Sequence, residues 1–269
     1  MPEQIFAASQ SFYDSPRTVS AYSFYFVLQP AELAILDALR PRLAAMDMLD
    51  LGVGAGRTVP HFAHLAKSYV GSDFSGAMIT ACRKIFPKIA FEVADASDLA
   101  VFAEASFDFV LFSFNGIDCM QAGGRAKALA ELHRLVRPGG MLAFSSHNLQ
   151  FLPHSRSWRQ HLASLHPKYC LDSGAKLLKF LLRTRSAVIA ADRKTGLVRE
   201  RHLGFDVPIF FIEPAHQIAV LEAQGWRDVR AFASKSGREV ARGADLAELT
   251  DPWVYYFCRK PDGPGPSTA

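Results

Sequence analysis

The sequence has few cysteines, and no two of them are spaced to form a metal-binding pair. The 269 residues include four, Cys82, Cys119, Cys170 and Cys258. Zinc and iron–sulfur sites usually contain cysteines at CxxC spacing, so this pattern argues against a local metal site, and no metal is expected. We expect the cysteines to be thiols in a reducing cytosol rather than halves of disulfides.

Long apolar runs and blocks of one charge are also missing. No run approaches the roughly 20 residues that a membrane helix needs, and the first residues do not resemble a secretory signal. We therefore expect a cytoplasmic protein with no membrane insertion. Lys and Arg number 30 against 26 Asp and Glu, a net charge of +4, and no five like charges are consecutive. A nucleic-acid partner is therefore not indicated.

Short apolar runs alternate with helix-length segments between residues 46 and 148. The predicted strands are 46–51, 69–72, 89–93, 107–114 and 141–145. The predicted helices between them are 58–67, 76–86, 97–103 and 124–136. Strands that alternate with helices favour an α/β fold with a doubly wound parallel sheet.

The alternation stops near residue 149 and returns after residue 212. A helix is predicted over 30–40, and another over 214–224 is followed by strands over 226–232 and 252–259. Between the two regular parts, 150–185 is predicted to be helical and basic, and 186–212 to form a strand pair that turns near Lys194. The predicted parts are an N-terminal arm or lid (1–29), a core (30–149), an inserted lid (150–212), the rest of the core (213–260) and a disordered tail (261–269).

A glycine-rich turn follows the first predicted strand. It contains Gly52, Gly54 and Gly56, two residues apart, after Asp50. Glycines allow backbone angles that other residues avoid, and they let a ligand lie against bare backbone at the carboxyl edge of a sheet. A GxGxxG dinucleotide fingerprint would need a glycine at position 57, where this chain has Arg57, and this disfavours an NAD-linked oxidoreductase.

The next two strands end in carboxylates. Asp73 lies 23 residues after Asp50, where an acidic side chain can accept hydrogen bonds from both ribose hydroxyls. Asp95 ends the third strand, where it can accept from the exocyclic amine of adenine while the Ala96 N–H serves a ring nitrogen. The alternative for Asp73 is a helix cap, a role that Ser75 could fill instead, and the alternative for Asp95 is a turn residue.

The GxGxG turn led by Asp50, the carboxylates that follow and the segment RLVRPGG resemble class I methyltransferases, which use S-adenosylmethionine (SAM). The resemblance covers 46–148 and 213–260. It implies a Rossmann-like, seven-stranded sheet with a C-terminal antiparallel strand, and SAM as cofactor. The residues it assigns to SAM binding are Asp50, Gly52, Gly54, Gly56, Asp73, Phe74, Met78, Asp95, Ala96, Ser113 and Tyr22.

Methyl transfer from a sulfonium requires alignment and exclusion of water rather than a metal. A hydroxyl acceptor also benefits from a general base, whereas an amine needs only to be bound as the free base. The base candidates at the ends of strands four and five are His147 and Asp118. Asn115 and Asn148 are predicted to orient the reacting groups, and Asn115 is counted with His147 and Asp118 among the catalytic residues. The alternatives are a solvated loop histidine for His147 and a helix cap for Asp118.

The predicted function is therefore methyl transfer from SAM to a hydroxyl or amine of a small molecule, a glycan or a natural product. A basic, histidine-containing lid would suit an acidic or polyhydroxyl acceptor. Its candidate contacts are His154, Arg156, Trp158, His161, His166, Lys168 and Tyr169. The alternatives are a non-catalytic SAM-binding module and, less favoured, the NAD-linked oxidoreductase.

Overall fold

The computed structural model describes residues 10–23, 25–120, 123–152, 188–199 and 208–263. The helices are α1 (Pro16–Tyr22), α2 (Pro30–Leu43), α3 (Val59–Phe62), α4 (Gly76–Ile85), α5 (Gly124–Leu135), α6 (Pro214–Ala223) and α7 (Ala244–Ala247). The strands are β1 (Asp47–Leu51), β2 (Ser68–Asp73), β3 (Ala90–Val93), β4 (Phe107–Phe112), β5 (Val136–Asn148), β6 (Val188–Ala191), β7 (Thr195–Arg199), β8 (Pro208–Ile212), β9 (Arg227–Ala233), β10 (Glu239–Val240) and β11 (Trp253–Arg259). None of the helices in these ranges is both long and apolar enough to cross a bilayer.

The central sheet has the order β10-β9-β11-β5-β4-β1-β2-β3. Strands β1 to β5 pair in parallel, whereas β11 is antiparallel to both of its neighbours, β5 and β9. Seven of these strands form the predicted Rossmann-like sheet, and the two-residue β10 adds an eighth at its edge. The predicted doubly wound sheet with an antiparallel C-terminal strand is thus confirmed.

Both faces of the sheet are covered by helices. Leu49, on one face of β1, belongs to a core with residues of α5 and α6 such as Leu132 and Leu221. Its neighbour Met48 faces the other way, into a core with residues of α2 and α4 such as Leu39 and Ile79. Because β1 is buried on both faces, the carboxyl ends of the parallel strands are where a ligand can reach the sheet.

Two predicted helices differ from the structure. The one predicted over 58–67 is limited to the single turn Val59–Phe62. The one predicted over 97–103 is wrong: the Asp95 carboxylate accepts from the Ser97 N–H at 2.7 Å and hydroxyl at 2.8 Å, which fixes a turn instead. Short polar side chains compete in this way with helical hydrogen bonding.

Within the insertion, β6 and β7 form the predicted strand pair, and β8 adds a third strand. Strand β8 also pairs with the end of β5, at His147 and Asn148. The helical part predicted beyond residue 152 and the tail beyond residue 263 lie outside the described residues, as do the seven candidate contacts of the lid.

Candidate functional site

A cavity of about 400 Å³ lies at the carboxyl edge of the sheet, between the tips of β1, β2, β3 and β4. All of the predicted cofactor-binding residues except Gly56 line it: Asp50, Gly52, Gly54, Asp73, Phe74, Met78, Asp95, Ala96, Ser113 and Tyr22. These residues lie together because parallel strands place their carboxyl ends at one edge of the sheet.

The turn after β1 is shaped by its glycines. Gly52 and Gly54 have φ angles of +66° and +56°, which favour glycine. A Cβ on Gly52 would lie 2.8 Å from the Phe112 ring. Gly56 also has a positive φ, and a Cβ there would meet Phe86, at the end of α4, at 2.5 Å. Gly56 is therefore closely packed against α4, and its predicted contact with the cofactor stays a prediction.

Asp50 lies at the end of β1, where the turn begins, and bonds to residues of β2 and of the start of α3. Its Oδ2 accepts from the Tyr69 hydroxyl at 2.6 Å and from the hydroxyl of Thr58, which precedes α3. Burial raises the pKa of the Asp50 carboxyl to about 6, against the opposing effect of these hydrogen bonds. Asp50 therefore fixes the glycine-rich turn between β1 and α3.

Asp73 connects the turn to β2 and α4. Its two oxygens accept from the Gly54 N–H and the Ser75 N–H, each at 2.9 Å. Ser75 is the residue that caps α4, accepting from the Met78 N–H at 3.1 Å. Burial raises the pKa of Asp73 to about 6. Each carboxylate oxygen has two lone pairs, so Asp73 retains capacity for ligand hydroxyls.

The N-terminal arm covers part of the cavity. The Tyr13 ring lies 5.6 Å from that of Phe74 and 6.3 Å from that of Tyr22, and Tyr13 and Tyr22 both line the cavity. Asp14 accepts from the Ser75 hydroxyl at 2.5 Å. Tyr13 was not predicted as a site residue, and its only sequence signal was the concentration of aromatic residues over 1–29.

Arg57, where a dinucleotide fingerprint would have glycine, is the main residue that sequence reasoning missed. Its guanidinium binds the Glu32 carboxylate with two hydrogen bonds, of 2.6 and 2.5 Å, and donates to the Val27 carbonyl at 2.9 Å. Burial alone would raise the pKa of Glu32, but bonds and charge from Arg57, with bonds from Ser113 and Gln29, lower it below its ordinary value. The pair joins α2, the arm and the glycine-rich turn.

Ser113, at the tip of β4, belongs to the same network. Its hydroxyl bonds to Glu32 and lies 3.2 Å from the Tyr255 hydroxyl of β11. It also lines the cavity, so the network forms part of the cavity wall.

The predicted catalytic residues do not line the cavity; they lie beside it. His147 Nδ1 donates to Asp118 Oδ2 at 2.8 Å, and the His147 backbone N–H donates to the same oxygen at 2.6 Å. Asp118 Oδ1 accepts from Ser146 at 2.7 Å and from Arg125 at 3.4 Å. Asp118 is therefore not a helix cap but a fully buried partner of His147.

The two asparagines near this pair are held by hydrogen bonds to neighbouring residues. Asn115 takes a left-handed φ of +62°, and its N–H donates to Ser145 at 2.8 Å. Asn148 donates its amide to the carbonyls of Leu249 and Asp251, which fixes the loop before β11, and its orienting role stays a prediction.

Part of the chain is similar in sequence to known methyltransferases. The family described as "Methyltransferase domain" matches residues 48–140. A demethylmenaquinone methyltransferase from Beutenbergia cavernae is 37% identical over 109 residues, 40% of this chain and 43% of that protein. A trans-aconitate 2-methyltransferase from an Acidovorax species is 30% identical over 153 residues, 50% of this chain and 53% of that protein. The chain thus spans about half the length of the curated relatives it matches.

The structural similarity to known proteins extends over more of the chain than the sequence similarity does. The crystal structure of a Burkholderia thailandensis 1,6-didemethyltoxoflavin-N1-methyltransferase, which has its substrate and S-adenosylhomocysteine bound, superposes with a TM-score of 0.57. The superposition covers 97% of this chain and 91% of that one, at 17% identity. A likeness at this identity shows the fold, and the fold is that of the class I enzymes.

Proposed function

Because residues 48–140 match the methyltransferase domain and the fold is that of class I methyltransferases, we propose that the protein transfers the methyl group of SAM to a small-molecule acceptor. The cavity carries this proposal. It combines a glycine-rich turn, in which a Cβ on Gly52 would collide with the Phe112 ring, with carboxylates at the next two strand tips, Asp73 and Asp95. This order of donors and acceptors fits an amino acid, a ribose and an adenine in sequence.

Each group of residues that lines the cavity has a proposed role in binding SAM. Gly52 and Gly54 would lie against the methionine part, and Asp73 would accept from the ribose hydroxyls. Asp95 and the Ala96 N–H would bind the adenine edge, with the Met78 side chain beside it. SAM supplies an electrophilic methyl group, and the protein aligns it with the acceptor.

For the acceptor we propose a hydroxyl, with His147 as general base. The carboxylate of Asp118 fixes the ring with its Nδ1 proton inward, which leaves Nε2 to accept a proton. An amine acceptor is the second candidate, because His147 does not line the cavity and a free amine needs no base.

The cofactor assignment is tested by calorimetry of SAM binding to Asp73→Ala. Loss of the ribose hydrogen bonds should weaken binding about ten- to a hundredfold, or about 1.5–3 kcal/mol. NAD serves as the negative ligand, and circular dichroism checks the fold. Unchanged SAM affinity in a folded variant would contradict the assignment.

The base is tested with methyl-labelled SAM and an acceptor library read by mass spectrometry. His147→Gln should lower kcat by about 10²–10⁴ for a hydroxyl acceptor and leave SAM affinity nearly unchanged. A variant that keeps both the rate and the pH–rate profile of the native protein removes His147 from the mechanism and favours the amine.

A further inference from the structure

Two aromatic rings, those of Phe114 and Trp253, connect the cavity wall to the His147–Asp118 pair. Phe114 lines the cavity, and its ring lies 5.9 Å from that of Trp253, at an interplanar angle of 61°. The Trp253 ring lies 6.4 Å from that of His147, at 74°. Phe211 of β8 lies 4.9 Å from the other side of the imidazole. We name Phe114, Trp253 and His147 the aromatic wall.

Phe114 occupies this place at a conformational cost. Its φ is +55°, in the left-handed region that bulky residues rarely adopt, and Asn115 follows at +62°. Phe114 is nevertheless 39% exposed, and it lines the cavity. Strained residues persist where the surrounding structure over-determines them, and they cluster at ligand sites.

The charges beside the wall are neutralised. The Arg57 guanidinium lies over the Phe114 ring, 4.9 Å from its centre, but both of its Nη atoms bind the Glu32 carboxylate. Arg125, near His147, bonds to Asp118. The remaining cation of the described cavity lining, Lys127, belongs to α5 and not to the wall. An anionic acceptor group therefore gains no unpaired cation at the described part of this wall.

We infer that the acceptor is an uncharged, planar aromatic compound whose hydroxyl is directed to His147, with Phe114 and Trp253 as the residues that select an aromatic ring. This inference rests on the proposed function. Aromatic rings gain affinity from edge-to-face or offset stacking beyond that of apolar area alone. In the reaction, the acceptor oxygen bonds to the methyl carbon as the carbon–sulfur bond breaks. His147 Nε2 takes the hydroxyl proton, and S-adenosylhomocysteine is released.

Calorimetry with matched probes tests the ring preference. The probes are 1-naphthol, its saturated counterpart decahydro-1-naphthol, and 1-naphthoate, each titrated into the full chain with and without S-adenosylhomocysteine. We expect 1-naphthol to bind about two- to tenfold more tightly than decahydro-1-naphthol, and 1-naphthoate to gain nothing from its charge. Equal binding of the two alcohols, or tighter binding of 1-naphthoate, overturns the inference.

Variants of the aromatic wall test whether it causes the preference for an aromatic ring. Phe114→Leu and Trp253→Leu should bring the affinity ratio of the two alcohols close to one, whereas Phe114→Tyr should keep it. Phe102→Leu is the matched control, because the described ring contact of Phe102 is with Phe107 and not with a member of the aromatic wall. An unchanged ratio in both wall variants overturns the inference. SAM titrations of the same proteins judge the proposed function separately, because loss of ring preference with intact SAM binding affects the acceptor alone.

Discussion

At the scale of single residues, the buried pair Arg57–Glu32 connects α2, the N-terminal arm, the glycine-rich turn and β11. Glu32 is fully buried on α2, and Arg57 is 9% exposed in the glycine-rich turn. A buried ion pair contributes little over a well-packed apolar pair, but removal of one partner leaves an uncompensated charge. The pair therefore makes the stability of the arm and of the cavity depend on both residues together.

Arg57→Met should reduce the free energy of unfolding by about 3–5 kcal/mol, and the double variant Arg57→Met, Glu32→Met by less than the sum of the single ones. Urea unfolding measures the cycle. The exposed pair Arg230–Glu239 is the control, since Arg230→Ala should cost about 0–1 kcal/mol. Additive losses at Arg57 and Glu32 would show that the two side chains act independently.

The raised pKa values of the buried carboxyls Asp50 and Asp73 predict that acid changes stability and SAM affinity in opposite directions. An unfolded aspartate titrates near pH 3.9, so between about pH 4 and pH 6 native Asp50 and Asp73 bind more protons than in the unfolded chain. Their contribution to the free energy of unfolding therefore rises as the pH falls from 6 to 4. SAM affinity should fall over the same range, because protonated Asp73 is a poorer acceptor for two hydroxyls.

Thermal melts and calorimetry between pH 5 and pH 8 test both trends. The stability of the native protein relative to Asp50→Asn should increase toward acid, since asparagine does not titrate. A SAM affinity that stays constant down to pH 5 would show that ionised Asp73 is not needed for binding.

At the scale of elements, the glycine-rich turn is the feature most sensitive to one added atom. Gly52→Ala requires a left-handed alanine and moves the Phe112 ring, which lies 2.8 Å from the new Cβ. We expect a loss of about 1–2 kcal/mol in stability from the backbone alone, and weaker SAM binding. Gly76→Ala, where a Cβ meets nothing within 4 Å, is the matched control and should reduce neither quantity. Equal effects of the two substitutions would refute a specific role for the turn.

The elements also show how far the sequence could predict the site. Buried parallel strands are recognisable as apolar runs, and their topology brings Gly52, Asp73 and Asp95 to one edge whatever the loops do. Arg57 and Glu32 are 25 residues apart, and no local pattern connects them. The packing that leaves His147 outside the cavity wall is likewise set by tertiary contacts, since Asp118 and β8 both engage it.

At the scale of the whole molecule, the three strands of the insertion join the central sheet where β8 pairs with the end of β5. Phe211 and Ile209 of β8 form a small apolar cluster with Val198 of β7, and Phe12 of the arm packs against it. The insertion thus contacts both the arm and the strand that carries His147, and these contacts support the hypothesis that it is an acceptor lid.

We therefore predict that replacing residues 155–205 with a short linker keeps SAM binding and abolishes methyl transfer. This replacement keeps β8, which pairs with β5, and removes β6 and β7. Calorimetry and a labelled-SAM assay measure the two properties. A truncated protein that methylates its acceptor at a normal rate would exclude the insertion as an acceptor lid.

The position of β11 between β5 and β9 has a consequence for synthesis on the ribosome. Both neighbours precede it in the chain, yet neither can pair with the other, because β11 occupies the space between them. A growing chain folds from its N-terminal side, so it carries two unpaired strand edges until Trp253–Arg259 has emerged. A pause in translation before that segment would prolong exposure to aggregation, and we expect nascent chains stalled there to depend on chaperones.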